Sequence, residues 1–193
     1  MKPSNPILVS AVVVAKSPDG LGETLRSVRQ LAEEVVVIDV GSDALVAELA
    51  RGYEAHVTSE PWSGDLAPHW RSGRALARGQ WVLCVEGGEH LVETEVKRVR
   101  DALAEDAVST AMRCRVIRCA DHPARVSLLE VRLTRGMVEV DPVGSGPVPP
   151  LCALTLAPVA GLQSALLLSP PPSESRLVVE AAEWLGGPWI RVS

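Results

Sequence analysis

Apolar and polar positions in the first half of the chain alternate between strand-like and helix-like spacing. Strand-like apolar runs occupy residues 7–15, 35–39, 54–59 and 80–86. The segments between them repeat apolar residues every three or four positions, as on one face of a helix. The first of these segments contains Leu21, Leu25, Val28 and Leu31. This βαβαβαβ order predicts an α/β protein with three α/β/α layers, a mostly parallel central sheet and right-handed crossovers.

The second half of the chain predicts a helix, more strands and a terminal helix. The helix follows Glu93 and ends near Glu105. Further strand patterns occupy residues 108–119, 126–134 and 151–158. Gly and Pro punctuate residues 140–150 as a loop, and Ser173 caps an amphipathic helix. We therefore divide the chain into a main domain, residues 1–150, and a C-terminal extension, residues 151–193, packed on the same domain.

Composition narrows the class of protein. Apolar residues make up 47% of the chain and charged residues 22%, as in ordinary globular proteins. The chain has no Phe and five Trp, which favours sheets covered by helices over an aromatic-rich β-barrel. A net charge of −5 gives no general attraction to nucleic acids or anionic membranes.

Cysteines and the N-terminal sequence indicate a cytoplasmic protein. The four cysteines form no CxxC pair and have no His partner at zinc-finger spacing, so we interpret them as reduced structural thiols. The apolar run at residues 7–15 is too short to span a bilayer and is better read as a strand. Peripheral attachment to the inner face of the membrane is the alternative location.

Charged residues fall where the predicted parallel strands end. Lys16 follows the first strand, Asp39 ends the second and Glu86 ends the fourth. Ligands of parallel α/β sheets bind outside the carboxyl ends of the strands, so these residues mark a candidate site for a nucleotide and a metal. No GxGxxG or GxxxxGK[ST] loop supports a Rossmann dehydrogenase or a P-loop enzyme.

Five sequence motifs over residues 7–91 occur in a recognisable order. They are VVVAKSPDG (12–20), IDVGSD (38–43), AELARGYEAHV (47–57), a Trp-bearing loop (61–64) and ALARGQWVLCVEGGEHL (75–91). Together they resemble the inverting glycosyltransferases of family 2, and within them the bacterial group that adds sugars to lipopolysaccharide cores. The resemblance implies the nucleotide-diphospho-sugar (GT-A) fold. Beyond residue 105, only VRLTRG (131–136) is similar to the family, whose corresponding strand lies in the acceptor half.

The resemblance implies a nucleotide site in the main domain. Its residues would be Ala15, Lys16, Asp39, Ser42 and Arg71. Asp39 would bind the base, while Lys16 would lie near the base or a phosphate, and Arg71 would offset diphosphate charge. Plainer interpretations stay open for each. Asp39 would cap the next helix with Ser42 and Asp43, Lys16 would be solvated, and Arg71 would share a solvated basic face with Arg74 and Arg78.

The family's Asp-x-Asp motif, which binds a divalent cation, is altered here. Its positions read Glu86-Gly87-Gly88, followed by Glu89. The resemblance implies Mn²⁺ or Mg²⁺ at Glu86 and Glu89, acting as a Lewis acid on the leaving diphosphate. His90 would be a further ligand or, more plainly, a surface imidazole. The family's general base follows its Arg-Leu-Phe strand, but residues 138–146 do not match that pattern and we assign no base.

Two functions are therefore expected, and an unrelated α/β nucleotide-binding or regulatory domain is a third interpretation. The first is a hexosyltransferase-type glycosyltransferase that binds a nucleotide-sugar and transfers the sugar to a glycan or lipid-linked acceptor. The second is a catalytically degenerate member that binds nucleotide and serves as a binding or assembly protein, with a homo-oligomer or another protein as partner. The sugar, the nucleotide, the acceptor and the oligomeric state stay open at this point.

Overall fold

The computed structural model describes residues 6–41, 44–92, 96–106, 109, 111–117, 127–136 and 151–159. The strands in those residues are β1 (Val9–Ala15), β2 (Glu34–Asp39), β3 (His56–Ser59), β4 (Trp81–Glu86), β5 (Glu89–Leu91), β6 (Ala111–Ile117), β7 (Ser127–Arg135) and β8 (Leu151–Pro158). The helices are α1 (Leu21–Val28), α2 (Ala44–Gly52), α3 (Leu66–Leu76) and α4 (Val96–Glu105). All the strands join one sheet in the order β3-β2-β1-β4-β7-β6-β8-β5.

The first half of the sheet is parallel, as predicted. β1 pairs in parallel with β2 on one side and with β4 on the other, and β3 pairs in parallel with β2. In this register Ala15 lies opposite Asp39, and Val14 lies opposite Glu86. The carboxyl ends of three neighbouring strands therefore meet at one edge.

The second half of the sheet is mixed. β7 pairs antiparallel with β4, and β6 lies between β7 and β8, antiparallel to the first and parallel to the second. β8 also pairs antiparallel with β5, so residues 151–158 belong to the same sheet as the main domain. The division at residue 150 stays a prediction. The loop over residues 140–150 and the helix after Ser173 lie outside the described residues.

Two hydrophobic clusters cover the two faces of the sheet. The larger cluster joins one face of β1, including Val13, to α1, α2 and α4. The smaller cluster joins the opposite face, including Val12, to Leu66 of α3 and the half-buried Trp62 and Trp70. Since successive strand residues point to opposite faces, this division confirms the three-layer prediction. No helix in the described part of the chain combines the length and apolarity needed to cross a membrane.

Several predicted boundaries move by a few residues. β3 begins at His56 rather than at residue 54, because Glu54 adopts a positive φ of 56° that cannot continue a strand. α3 ends at Leu76 rather than near Arg78, because Ala77 is extended, with φ −72° and ψ 138°. β5, with only three residues, was not predicted.

Candidate functional site

The first part of the candidate site lies where β1 and β2 end. The carbonyl of Ala15 accepts a hydrogen bond from the N–H of Val40 at 2.9 Å, which continues the strand pairing past Asp39. The carboxylate of Asp39 is only 3% exposed, and its Oδ1 accepts from the N–H of Gly41 at 3.0 Å. Asp39 is therefore a buried acid held in place by the turn that follows it.

Gly41 brings the two strand ends into close contact. A Cβ atom at this position would lie 1.8 Å from the carbonyl oxygen of Lys16, so only glycine fits. The side chain of Lys16 is exposed beside this contact. Ser42 lies outside the described residues, and its assignment to the nucleotide site stays a prediction.

Arg71 lies on α3, the helix that packs across β1 and β2, and its side chain is exposed. The alternative of one basic face shared with Arg78 does not match the geometry. Arg78 lies beyond the end of α3 and pairs with Glu34 at 2.6 Å, at the amino end of β2. Arg71 stays a candidate for the nucleotide site by its place in the fold.

The Trp-bearing loop noted in the sequence is tied to the same strand end. The N–H of Glu60 donates to the carbonyl of Asp39 at 2.9 Å. The side chain of Glu60 bonds to Nδ1 of the buried His69 at 2.9 Å, and Nε2 of His69 accepts from the N–H of Ser63 at 3.2 Å. Trp62 stacks on the His69 ring at 5.2 Å between centroids. These contacts fix the Trp-bearing loop in position next to Asp39.

The second part of the candidate site lies where β4 ends, and there the two predicted metal ligands surround an arginine. Glu86, Glu89 and Arg132 of β7 all have 0% side-chain exposure. Nη2 of Arg132 donates to Oε1 of Glu86 and to Oε1 of Glu89, each at 3.1 Å. Nη1 donates to Oε2 of Glu89 at 3.0 Å, so that carboxylate is bound by both terminal nitrogens.

Neighbouring groups enclose the guanidinium. Nη1 of Arg132 also donates to the carbonyl of Cys84 at 3.2 Å, and the Trp70 ring lies 4.7 Å from the guanidinium carbon. The N–H of Glu86 donates to Oε2 of Glu89 at 2.9 Å. Glu86, Glu89 and Arg132 therefore form one buried ionic cluster, which we call the acid–arginine cluster.

The turn between β4 and β5 has a backbone conformation that disfavours a side chain at residue 88. Gly88 has a φ of 95°, a conformation that a side chain makes costly. Its N–H donates to Oγ1 of Thr24 in α1 at 3.0 Å, and the N–H of Gly87 donates to the carbonyl of Val14 at 2.7 Å. This tight turn directs the next acid, Glu89, back under β4 and toward Arg132.

The contacts of Glu86 and Glu89 decide whether this acid pair can bind a divalent cation. Mn²⁺ or Mg²⁺ requires several oxygen ligands at about 2.0–2.2 Å, commonly with bound water. In the folded chain both carboxylates instead bind a guanidinium and are closed to solvent. Within the described residues no group of three or more His, Cys, Asp and Glu side chains is arranged to hold a metal. The pair in this arrangement does not fit the cation.

Two further sequence interpretations changed on inspection of the site. His90 lies in β5 and is half-buried, so it is not the surface imidazole of an exposed turn. Arg132 was missed, although its motif VRLTRG was noticed, because a single arginine in a strand gives no indication of its partners.

Cys84 is buried beside the cluster, and burial raises the pKa of its thiol to about 11. A buried thiol with a raised pKa is protonated at neutral pH, which disfavours a role as a nucleophile.

Comparisons with known proteins give structural likenesses only. No protein-family model matches the chain, and a search of curated proteins finds no match. Staphylococcus aureus TarS is similar at 19% identity and a TM-score of 0.48, over 61% of this chain and 23% of TarS. Mannosyl-3-phosphoglycerate synthase from Rubrobacter xylanophilus is similar at 18% identity and a TM-score of 0.46, over 60% of this chain and 42% of the synthase.

A third similar structure carries ligands. It is glucosyl-3-phosphoglycerate synthase from Mycobacterium tuberculosis in complex with Mn²⁺, UDP and glucosyl-3-phosphoglycerate. The identity is 16% and the TM-score 0.44, over 57% of this chain and 44% of the synthase. The chain thus spans less than half of each of these structures, and likenesses of this strength decide neither family nor activity.

Proposed function

We propose that this chain is a glycosyltransferase-like protein that binds a nucleotide-sugar at the carboxyl ends of β1 and β2. The observation that supports this most is the position of Asp39 at the end of β2, where the following turn fixes its carboxylate beside the backbone of Ala15 and Lys16. A carboxylate accepts hydrogen bonds from the N–H groups of a base edge, and the exposed ammonium of Lys16 suits a phosphate. The Trp-bearing loop supplies an aromatic wall.

The resemblance to family 2 glycosyltransferases is the second support. It implies that Ala15, Lys16, Asp39, Ser42 and Arg71 would lie around the donor nucleotide. In its enzymatic form the function would be hexosyl transfer to a glycan or lipid-linked acceptor. The general base and the acceptor site are not assigned, and we route no step through a metal, because the acid pair that would hold it binds Arg132.

The acid–arginine cluster favours a second candidate, a catalytically degenerate member that binds the nucleotide without transferring the sugar. Family 2 transfer uses a divalent cation to stabilise the leaving diphosphate. Here a buried guanidinium occupies the carboxylates that correspond in sequence to the cation ligands. Nucleotide binding at Asp39 therefore does not depend on sugar transfer assisted by a cation at Glu86, and the two are tested separately.

Calorimetric titration of UDP and GDP tests nucleotide binding. In Asp39→Asn the amide oxygen can still accept from the N–H of Gly41, so the turn is kept while the charge is lost. We expect the affinity to fall by about tenfold or more, equivalent to ~1.4 kcal/mol. Asp65→Asn is the matched control, because its carboxylate also accepts from a backbone N–H, at 3.1 Å from Ala67, at the N-terminus of α3.

Unchanged affinity in Asp39→Asn, or wild-type protein that binds neither nucleotide, would overturn the proposal. Transfer is tested separately by following hydrolysis of UDP-sugars by the wild-type protein, with Mn²⁺ and with EDTA. Release of UDP above the background measured without protein supports the enzyme. Binding without turnover supports the degenerate member.

A further inference from the structure

We propose that Arg132 replaces the divalent cation at the acid pair, and that Glu86 and Glu89 become a cation site only when this guanidinium is removed. The nucleotide site would then work without a metal. Metal-independent nucleotide binding rests on the proposed function, whereas the cation site rests only on the contacts of the acid–arginine cluster.

The geometry shows that the guanidinium occupies the point at which the two carboxylates converge. One oxygen of Glu86 and one oxygen of Glu89 each lie 3.1 Å from the same nitrogen, Nη2 of Arg132. A divalent cation at that position would need its carboxylate oxygens about 1 Å closer, within the 2.0–2.6 Å range of such ions. Small rotations of two side chains would supply this shift once the arginine was absent.

The positive charge of the resident guanidinium opposes a second cation between the two carboxylates. Arginine stays protonated under all conditions in which proteins fold, so the guanidinium is a permanent cation. A second cation among these groups would lie next to it in a region closed to water, where like charges repel strongly. Arginine and metal therefore exclude each other.

Displacement of Arg132 by a metal is opposed by its surroundings. Both terminal nitrogens donate two hydrogen bonds each, to the carboxylates and to the carbonyl of Cys84. Trp70 covers the guanidinium on one side. Arg132 is adjacent to Leu133, where β7 pairs antiparallel with β4 inside the sheet, so the backbone that carries the guanidinium is fixed. These contacts make the guanidinium of Arg132 a fixed part of the folded core.

The test compares Mn²⁺ binding to the wild-type chain and to Arg132→Met, which removes the charge while keeping an unbranched side chain. Bound Mn²⁺ is counted by the loss of the free-ion paramagnetic resonance signal, and thermal unfolding is followed with Mn²⁺ or with EDTA. We expect no binding and an unchanged melting temperature in the wild-type chain. In Arg132→Met we expect one bound Mn²⁺ per chain and a melting temperature raised by the ion.

Two control variants separate the cation site from general effects of the substitution. Arg132→Lys keeps a positive charge and should gain no Mn²⁺. Arg132→Met combined with Glu86→Gln and Glu89→Gln removes the carboxylates and should lose the ion gained by Arg132→Met. Wild-type affinity for UDP should change by less than about twofold between Mn²⁺ and EDTA.

The inference is overturned if the wild-type chain binds one Mn²⁺ that Glu86→Gln abolishes, or if Arg132→Met folds and gains none. If Arg132→Met does not fold in EDTA, folding on addition of Mn²⁺ supports the inference. If it folds under neither condition, the wild-type and Arg132→Lys measurements decide. A wild-type chain that binds no nucleotide would refute the proposed function, while the Mn²⁺ measurements would still test the cluster.

Discussion

Glu34, the first residue of β2, joins three segments of the chain through its carboxylate. Oε2 accepts from Oγ of Ser10 at 2.5 Å and from the N–H of Arg78 at 2.7 Å, while Oε1 accepts from Nε of Arg78 at 2.6 Å. Oγ of Ser10 in turn accepts from the N–H of Gly79 at 2.8 Å. The carboxylate thereby ties the starts of β1 and β2 to the segment that leads into β4.

These contacts make the stability of the chain depend on pH. Burial acts to raise the pKa of Glu34, but the hydrogen bonds from Ser10 and Arg78 outweigh it and hold the pKa below the ordinary value of 4.5. Because the folded-state pKa is the lower one, the carboxylate stabilises the fold fully at pH values above the ordinary pKa. This contribution is lost as the pH falls through the folded-state pKa.

The size of the stability loss in Glu34→Gln follows from the hydrogen bonds that the glutamine side chain cannot accept. A hydrogen bond to a charged group contributes about 1.5–3 kcal/mol, and Glu34→Gln keeps one acceptor oxygen but turns an amide toward Arg78. The ion pair itself adds little, because the Arg78 side chain is 76% exposed and screened by solvent. We expect Glu34→Gln to lower the free energy of unfolding by about 2 kcal/mol at pH 7. For a chain of this size that corresponds to ~4–8 °C in melting temperature.

Urea unfolding of wild type and Glu34→Gln at pH 7 and at about pH 3 measures the effect. The difference in the free energy of unfolding between wild type and Glu34→Gln should be present at pH 7 and smaller by at least half at the lower pH. Glu33 also has a lowered pKa, but it is present in both proteins and cancels in the difference. Glu23→Gln, on the exposed face of α1, is the control and should show no difference. An equal loss at both pH values would refute the reasoning.

Three further predictions concern the sheet and its surroundings. Gly41→Ala should abolish nucleotide binding and lower stability, because its Cβ would lie 1.8 Å from the carbonyl oxygen of Lys16, whereas Gly52→Ala, with nothing within 4 Å, should bind normally by calorimetry. The thiol of Cys84, with its pKa raised to about 11, should resist alkylation at pH 8 in the folded chain and react after denaturation, as mapped by mass spectrometry. Trp81→Phe should cost about 1–3 kcal/mol in urea unfolding, because its buried indole N–H donates to a helix carbonyl at 3.1 Å, which would be left without this donor.

The parallel half of the sheet is predictable from sequence because each of its features is local. β1 is a continuous buried run, and α1 has its apolar stripe within a few turns. β5 is not predictable in the same way. Three residues give no period, and this strand exists because Glu89–Leu91 pairs with β8, more than sixty positions later in the chain.

The acid–arginine cluster was outside the reach of sequence patterns for a related reason. Arg132 meets Glu89 and Glu86 across separations of 43 and 46 positions. The antiparallel register of β7 against β4 decides which side of the strand its guanidinium faces. Glu86 ends β4 as the sequence predicts, whereas Glu89 begins β5. The sequence around an acid does not indicate whether its counter-ion is a metal or a side chain.

Introducing the Asp-x-Asp spacing of family 2 glycosyltransferases would not by itself create a metal site. Glu86→Asp together with Gly88→Asp recreates the Asp-x-Asp spacing, yet residue 88 has a φ of 95°, so the new side chain adopts a strained conformation. Arg132 would still bind Glu89 through both terminal nitrogens. We therefore expect this double variant to be less stable than wild type and to bind no Mn²⁺, and Arg132→Met alone to bind it. Mn²⁺ binding by the double variant with Arg132 intact would show that motif spacing, rather than the resident cation, controls this edge of the sheet.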